Sequence, residues 1–99
     1  MIFSYFDSHN NHQRAPTTTV EVAIVDVKHD NETICSDVLS CAADLLTRCD
    51  DYLSHETQVS AQHPGRYIWL VRWRTREENP KIFRSTPEYR QWRQLLGSL

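Results

Sequence analysis

The 99-residue sequence contains only two glycines, Gly65 and Gly97, and no long apolar run. Nucleotide-binding loops need several closely spaced glycines, so no NAD or flavin site of that kind is expected. A bilayer-spanning helix needs roughly 18 apolar residues in a row, and their absence argues against a membrane partner. The first residues, MIFSYFDSHNNHQR, lack the basic start and the long apolar stretch that are typical of a signal peptide.

Cysteine is scarce, odd in number and not spaced for a metal site. Cys35, Cys41 and Cys49 include no Cys-x-x-Cys pair, and all three fall in a segment that predicts a single helix. A disulfide framework is therefore not expected, and a reducing, cytoplasmic location is the simpler assumption. Because the thiols lie on the apolar side of that helix, we interpret them as small core side chains rather than nucleophiles.

The net charge of −2 gives no electrostatic reason to expect a nucleic acid partner. Basic residues are nevertheless concentrated in the last third of the chain. This skew could serve an anionic ligand, but a solvated basic face is the commoner meaning of such a pattern. The cluster consists of Arg66, Arg72, Arg74, Arg76, Lys81, Arg84, Arg90 and Arg93.

The first half of the structured sequence predicts a strand and then a helix. Residues 19–28, TVEVAIVDVK, are dense in β-branched side chains and predict a strand that is apolar on both faces. Residues 32–49, ETICSDVLSCAADLLTRC, predict an amphipathic helix that Asp30 or Asn31 caps. Its apolar stripe consists of Ile34, Val38, Cys41, Leu45 and Cys49, widened by Cys35, Leu39, Ala42 and Leu46.

The second half predicts a hairpin and a closing helix. Residues 53–61 alternate in polarity as a strand does, QHPG forms a turn, and RYIWLVRW returns antiparallel. A short helical or turn segment, REENPKIFRS, follows. Thr86 then caps the last helix, with Pro87 at its first position. Tyr89, Trp92 and Leu96 share one face of that helix, joined by Leu95.

The strand RYIWLVRW is apolar on both sides, so something must cover each of them. The element order β-α-β-β-α is most of a ferredoxin-like α+β sandwich with an antiparallel sheet, in which helices cover one face only. We therefore expect the other face to meet the same face of a second copy, which makes the protein a homodimer. The two sides consist of Tyr67, Trp69, Val71 and Trp73, and of Ile68, Leu70 and Arg72.

We divide the chain into a leader at residues 1–18 and a folded domain at residues 19–99. The polar stretch SHNNHQRAPTTT is typical of a flexible segment. The apolar stretch IFSYF before it is either a short strand or a clip onto a partner. The expected domain ends without a strand after its last helix, so the sheet edge is either open or filled by MIFSYF.

One motif carries a family resemblance. The stretch LVRWRTREENPKIFRSTPEYRQW, a strand ending in Trp followed by a polar turn and a helix, resembles the antibiotic biosynthesis monooxygenase superfamily of dimeric α/β barrels. The resemblance extends over residues 20–96. It implies a ferredoxin-like dimer. Some members oxidise anthrones or hydroquinones with O2 and no cofactor, and others degrade haem.

The sequence departs from both active branches of that superfamily. Trp73 matches the Trp that ends the strand, but the Asn that the quinone-forming branch has four positions earlier is Trp69 here. The Trp and His of the haem-degrading branch correspond to Ile82 and Trp92, and its Asn corresponds to an aliphatic residue near Val22. Haem breakdown is therefore not expected, and quinone-type oxygenation stays open.

Several residues are candidates for chemistry. His55, in the middle of a strand, could accept a proton from a phenol or enol, or could simply be a hydrogen-bonded strand histidine. The aromatic side chains Tyr67, Trp69, Trp73 and Trp92 either line a flat cavity for an aromatic ligand or are plain core.

Two charged residues interrupt apolar faces. Arg72 either pairs with Glu56 or Asp26 or holds an anionic group of a ligand, and the ion pair is the expected role. Asp26 is a secondary candidate for a proton acceptor with a raised pKa. The spacing of His9 and His12 is weak support for a metal, so none is expected.

Together these patterns predict a cofactor-independent monooxygenase that acts on a small aromatic or enolic compound. His55 would be the base, and an aromatic cage including Trp73 would orient the substrate anion towards O2. Two alternatives stay open: a ligand-binding or structural dimer without turnover, and a polyketide-type cyclase or isomerase that uses no oxygen.

Overall fold

The computed structural model describes residues 2–9, 18–74 and 82–99, with side chains given for residues 2, 18–74 and 84–99. Residues 10–17 of the predicted leader lie outside these ranges, and so do residues 76–81 of the predicted helical or turn segment 76–85, whose last four residues form a 3-10 helix. No helix in the described ranges is long and apolar enough to cross a membrane. The elements are β1 (Ile2–His9), β2 (Thr18–Asp26), α1 (Glu32–Thr47), β3 (Tyr52–Val59), β4 (Arg66–Arg74) and α2 (Pro87–Gly97), with short 3-10 helices at His29–Asn31 and Ile82–Ser85.

The four strands form one antiparallel sheet in the order β1-β2-β4-β3. Two helices accompany it, which confirms the predicted α+β ferredoxin-like sandwich. In a β-α-β-β-α-β unit the last strand follows the second helix. Here β1 supplies that edge from the N-terminal side, with Ile2 opposite Val25 and His9 opposite Thr18. Of the two arrangements that the sequence left open, the structure therefore has the filled edge.

Both helices pack on one face of the sheet, and within the described ranges no other element covers the opposite face. We call the side that packs under α1 and α2 the helix face and the opposite side the open face. Along β2, buried and half-buried residues alternate strictly, as a strand between two different environments requires. The helix face carries Thr19, Glu21, Ala23, Val25, Tyr67, Trp69, Val71 and Trp73, and the open face carries Val20, Val22, Ile24, Ile68, Leu70 and Arg72.

Helix α1 packs along a narrower line than its apolar pattern predicts. The buried residues are Cys35, Ala42 and Leu46, whereas Ile34 is 48% exposed and Cys41 is exposed. The prediction that Ile34 and Cys41 lie on the packed stripe was therefore wrong. The reason is that the apolar surface of α1 is wider than the area that the sheet and α2 cover. The helix also ends at Thr47, so Cys49 lies in the following turn rather than in the helix.

Helix α2 is fixed at both of its ends. At its start, the Thr86 side chain accepts a hydrogen bond from the Tyr89 backbone N–H at 3.3 Å, which is the predicted cap. Beyond its end, the carbonyl oxygen of buried Leu99 accepts bonds from the Lys28 backbone N–H at 2.8 Å and the Asn31 side chain at 2.9 Å. Asn31 therefore does not cap α1 with its side chain, as predicted for it or Asp30, but holds the end of α2.

The turn between β3 and β4 depends on a glycine. Gly65 has φ +83°, and a Cβ at this position would lie 3.1 Å from the Val27 carbonyl oxygen. We expect Gly65→Ala to lower the free energy of unfolding by about 1–2 kcal/mol, the cost of the left-handed conformation for a residue with a Cβ. Chemical denaturation at fixed protein concentration measures it.

Gly97→Ala is the matched control for that substitution. Gly97 is helical, and a Cβ there meets only Ile2 Cγ2 at 3.4 Å, an ordinary contact. This variant should be neutral or up to about 1 kcal/mol more stable, because alanine favours the helix. Equal losses in both variants would contradict the role of the positive φ at Gly65.

Candidate functional site

Six ring side chains make a closed series of contacts on the helix face, which we call the aromatic circuit. Strand β3 contributes two rings, β4 two and α2 two. Neighbouring ring centroids are 5.4 to 6.5 Å apart all the way round, which is the range of favourable ring contacts. In order of contact the members are Tyr52, His55, Trp69, Trp92, Tyr89 and Trp73.

His55, like Tyr52, is a half-buried member of the circuit, whereas the other four rings are buried. Its Nδ1 lies 2.7 Å from the Tyr52 hydroxyl, and its ring stacks on Trp69 with centroids 5.4 Å apart and planes 19° apart. Burial lowers the pKa of His55 below its ordinary value of 6.5, because a charged imidazole loses hydration there. The ring is therefore neutral at pH 7, with one nitrogen engaged by Tyr52.

Glu21 is a fully buried carboxylate that joins three elements. From β2 it accepts the Trp73 indole N–H at 3.1 Å and the Tyr89 hydroxyl at 2.8 Å, and Arg93 approaches it at 3.4 Å. Burial, with the nearby Glu21 carboxylate, raises the pKa of Tyr89, so this hydroxyl stays protonated and donates. Glu21 thereby holds two rings of the circuit in place.

The sequence-predicted aromatic residues are only partly brought together. His55, Trp69, Trp73 and Trp92 all belong to the circuit, and the three tryptophans are each at most 1% exposed. Tyr67 lies on the same helix face but outside the circuit, where a hydrogen bond with Cys35 raises its pKa. It borders a separate cleft of about 280 Å³ under the first turn of α1.

The two charged candidates lie away from the circuit, on the open face. Asp26 receives two hydrogen bonds from Arg66, at 2.7 and 3.1 Å, and this pairing holds its pKa below the ordinary value. The predicted raised pKa of Asp26 was therefore wrong, because the strand register places a guanidinium opposite it. Arg72 lies 3.5 Å from Glu56, one of the two ion-pair partners that the sequence suggested.

The cysteines offer no nucleophile beside the circuit. All three thiols are free, and burial raises the pKa of Cys49 to about 11, which makes it a poor thiolate at neutral pH. In the ranges that the structure describes, His, Cys, Asp and Glu side chains nowhere gather in threes as a metal site would require. His12 lies outside those ranges.

Sequence reasoning missed Glu21 and Tyr52 as members of the site. A signal for Glu21 was present, because both faces of β2 are apolar and neither orientation would place its carboxylate in water. A charge in such a strand needs a buried partner. Tyr52 carried no comparable signal, since it stands at the very start of β3 and reaches His55 only through the local strand geometry.

We expect Glu21→Gln to lower the free energy of unfolding by about 1–3 kcal/mol. The amide keeps one acceptor oxygen but turns an NH2 group towards a donor of Trp73, Tyr89 or Arg93, which leaves a buried donor unpaired. Urea denaturation followed by tryptophan fluorescence measures the loss.

Glu56→Gln is the control, because it makes the same chemical change in an exposed ion pair. Glu56 and Arg72 are about half exposed and 3.5 Å apart, so the expected loss is only about 0–1 kcal/mol. If Glu21→Gln cost no more than Glu56→Gln, the buried carboxylate would not hold the circuit together.

Comparisons with known proteins give a sequence relative and several solved structures of the same fold. No protein-family profile matches the sequence. The chain is 29% identical over 76 residues to the uncharacterized protein YczJ of Bacillus subtilis. The aligned region covers 77% of this chain and 80% of that protein.

Solved structures give the same result for the fold. A proposed antibiotic biosynthesis monooxygenase from Bordetella bronchiseptica superimposes with a TM-score of 0.65 at 24% identity, over 83% of this chain and 84% of the other. Another from Nitrosomonas europaea has a TM-score of 0.62 at 18% identity, and the match covers 95% of this chain and 82% of the other. The chain therefore has the ferredoxin-like fold of the antibiotic biosynthesis monooxygenases, and the resemblance that its sequence predicts is confirmed at the level of the fold.

Proposed function

We propose that this protein belongs to the antibiotic biosynthesis monooxygenase superfamily and oxygenates a small planar enolic or aromatic compound without a cofactor. The observation that carries the proposal is a neutral imidazole, His55, stacked on Trp69 with one nitrogen already bound by Tyr52. A positioned neutral imidazole beside aromatic surface is suited to removing a proton from a flat, weakly acidic carbon or oxygen acid.

The proposed reaction needs only substrate, base and O2. His55 takes a proton from an activated methylene or enol, and the resulting carbanion passes electrons to O2. One oxygen atom enters the substrate as a carbonyl group, and the other leaves as water. For an anthrone-type CH2 group, four electrons leave the carbon and reduce one O2, so the reaction balances without an external reductant.

The hydrogen bond between Tyr52 and His55 is compatible with either tautomer of the imidazole, and a base at Nε2 requires one of them. If Nδ1 carries the proton and donates to the Tyr52 oxygen, Nε2 keeps its lone pair and can accept a proton. The opposite tautomer would make Nε2 a donor. The proposal therefore assigns the proton to Nδ1 and the basic lone pair to Nε2, with Tyr52 as the residue that positions the imidazole.

We expect His55→Ala to lower oxygen uptake with an anthrone or hydroquinone substrate by about 10²–10⁴-fold, the usual contribution of a general base. An oxygen electrode measures the rate. In the wild type, the acid limb of the rate should have its midpoint below pH 6.5, because the active form is the neutral imidazole and burial lowers the pKa of His55.

His63→Ala is the matched control, since it removes an exposed histidine in the turn between β3 and β4. Its uptake rate should equal that of the wild type. Undiminished uptake in His55→Ala would rule out the proposed base, and product formation without oxygen use would indicate a cyclase or isomerase instead.

A second candidate function is that of a ligand-binding or structural dimer without turnover. The full burial of Trp69, Trp73 and Trp92 favours the structural form, because fully buried rings contribute chiefly to core packing. A binding or structural dimer of this fold would take up no oxygen with any substrate of the panel, in the wild type as well as in the variants.

We propose that the protein is a homodimer in which two open faces pack together. Val20, Val22 and Ile24 of β2 and Ile68 and Leu70 of β4 form a contiguous apolar patch that neither helix covers. A patch of this kind is uncommon on a monomer. The pairs Asp26–Arg66 and Glu56–Arg72 flank it on the same face, and such a polar rim around an apolar centre is typical of interfaces.

We expect Leu70→Asp to convert the dimer into a monomer, because the substitution would bury two carboxylates against apolar partners. Light scattering behind a sizing column measures the mass. Val59→Asp is the control, since Val59 is 66% exposed on the edge strand β3 and does not belong to the open face. A monomeric wild type, or a dimer that Leu70→Asp leaves intact, would contradict this interface.

The three free thiols support a reducing location. Cys35 and Cys49 are buried, and Cys41 is exposed, where an oxidising compartment would tend to modify it. We accordingly propose that the protein works in the cytoplasm.

A further inference from the structure

The polar groups of the aromatic circuit fall into three neighbouring pairs, and only two of the pairs are satisfied. Tyr52 and His55 bond to each other. Trp73 and Tyr89 share the carboxylate of Glu21. The third pair, the indole N–H groups of Trp69 and Trp92, has no hydrogen-bond partner although both atoms are buried.

Two unpaired donors on adjoining rings are not expected from packing alone. The rings of Trp69 and Trp92 are 1% and 0% exposed and touch with centroids 5.9 Å apart. Buried donors nearly always have a partner, because a buried donor without one loses the hydrogen bond that it makes to water in the unfolded chain. Trp73, in the same circuit, does have an acceptor for its indole N–H, the Glu21 carboxylate at 3.1 Å.

The missing partner must be a hydrogen-bond acceptor without a donor requirement. An indole N–H only donates, so its complement is an oxygen with a free lone pair. The two donor atoms are buried and their rings contact other aromatic rings, which favours a planar conjugated molecule over a strongly hydrated ion. A carbonyl or enolate oxygen on such a molecule meets both conditions.

The circuit also places these donors next to the proposed base. His55 stacks directly on Trp69, and β3, which carries His55, is an edge strand of the sheet. Because the two rings are stacked, a ligand bound against Trp69 at this edge would also contact the imidazole. Removal of its proton would then leave negative charge on an oxygen beside the indole donors, where a hydrogen bond is strengthened by that charge.

We infer that the indole N–H groups of Trp69 and Trp92 bind the oxygen acceptors of the ligand and stabilise the enolate or phenolate that deprotonation creates. The ligand class is thereby a planar molecule with a carbonyl or enolate oxygen, rather than any flat hydrocarbon. This inference rests on the proposed function in one respect: it takes the aromatic circuit as the ligand site.

The three tryptophans allow a direct test by NMR. In ¹⁵N-labelled wild-type protein, each indole gives one cross-peak, which triple-resonance spectra assign. The probe is 2-hydroxy-1,4-naphthoquinone, a planar enolate that is already oxidised and does not consume O2. We expect the Trp69 and Trp92 indole protons to move downfield on titration, while Trp73, held by Glu21, stays in place.

Substitutions then separate the N–H from the ring. Trp69→Phe and Trp92→Phe each keep an aromatic ring and remove the donor, and each should weaken binding of the naphthoquinone by roughly tenfold to a hundredfold. Indole, a flat bicyclic molecule without an oxygen acceptor, is the control ligand. Its affinity should change by less than about threefold in both variants.

The possible results separate this inference from the proposed reaction. Naphthoquinone binding that leaves the Trp69 and Trp92 resonances unmoved, or no binding at all, overturns the inference, and an internal water on the two donors would give the same unmoved resonances. Downfield shifts in a protein that takes up no oxygen support the inference and reject only the monooxygenase reaction. Oxygen uptake with unmoved resonances does the reverse.

Discussion

The carboxylate of Glu21 is the interaction on which the rest of the site depends. A charge that is 0% exposed is tolerated only where donors surround it, and here they come from β4 and α2, 52 and 68 residues further along the chain. Because both oxygens of Glu21 are occupied, Trp73 and Tyr89 have little freedom to rotate. Those two rings in turn define the geometry of Trp92 and Tyr52, which pack against them.

Fixing α2 to the sheet is therefore both a stability device and a condition for the site. The Thr86 cap sets where the helix begins, and the bonds to the Leu99 carbonyl fix the chain just beyond its end. Between these points, Tyr89 and Trp92 reach down onto β4. If α2 slid along its axis by a fraction of a turn, its rings would separate from their partners on β4. The Thr86 cap and the buried carboxylate therefore both oppose this sliding of α2.

Much of the fold was readable in the sequence, and much of the site was not. The two apolar sides of β4, its hairpin with β3 and the Thr86 cap depend on local periodicity and turn chemistry, and those predictions were right. Which residues of α1 are buried, and the direction in which the pKa of Asp26 shifts, depend on how secondary-structure elements pack against each other. A single sequence does not determine that packing. Asp26 faces Arg66 only because of the register between two strands 40 residues apart. The use of β1 as the fourth strand likewise depends on a pairing between elements, with β2, which the sequence leaves open.

Glu21, Asp26 and His55 are three titratable side chains of the sheet, and their surroundings differ. Glu21 has the right location on the helix face, but its oxygens are filled by Trp73, Tyr89 and Arg93. Asp26 is ionised and bound by Arg66 on the far side of the sheet, where a substrate between sheet and helices would not reach it. His55 alone combines a position on the circuit, a neutral form at pH 7 and a ring nitrogen that Tyr52 leaves unbound. Environments that drive titratable groups apart in this way are how one fold assigns an acid–base role to a single residue, and this contrast supports the proposal that His55 is the base.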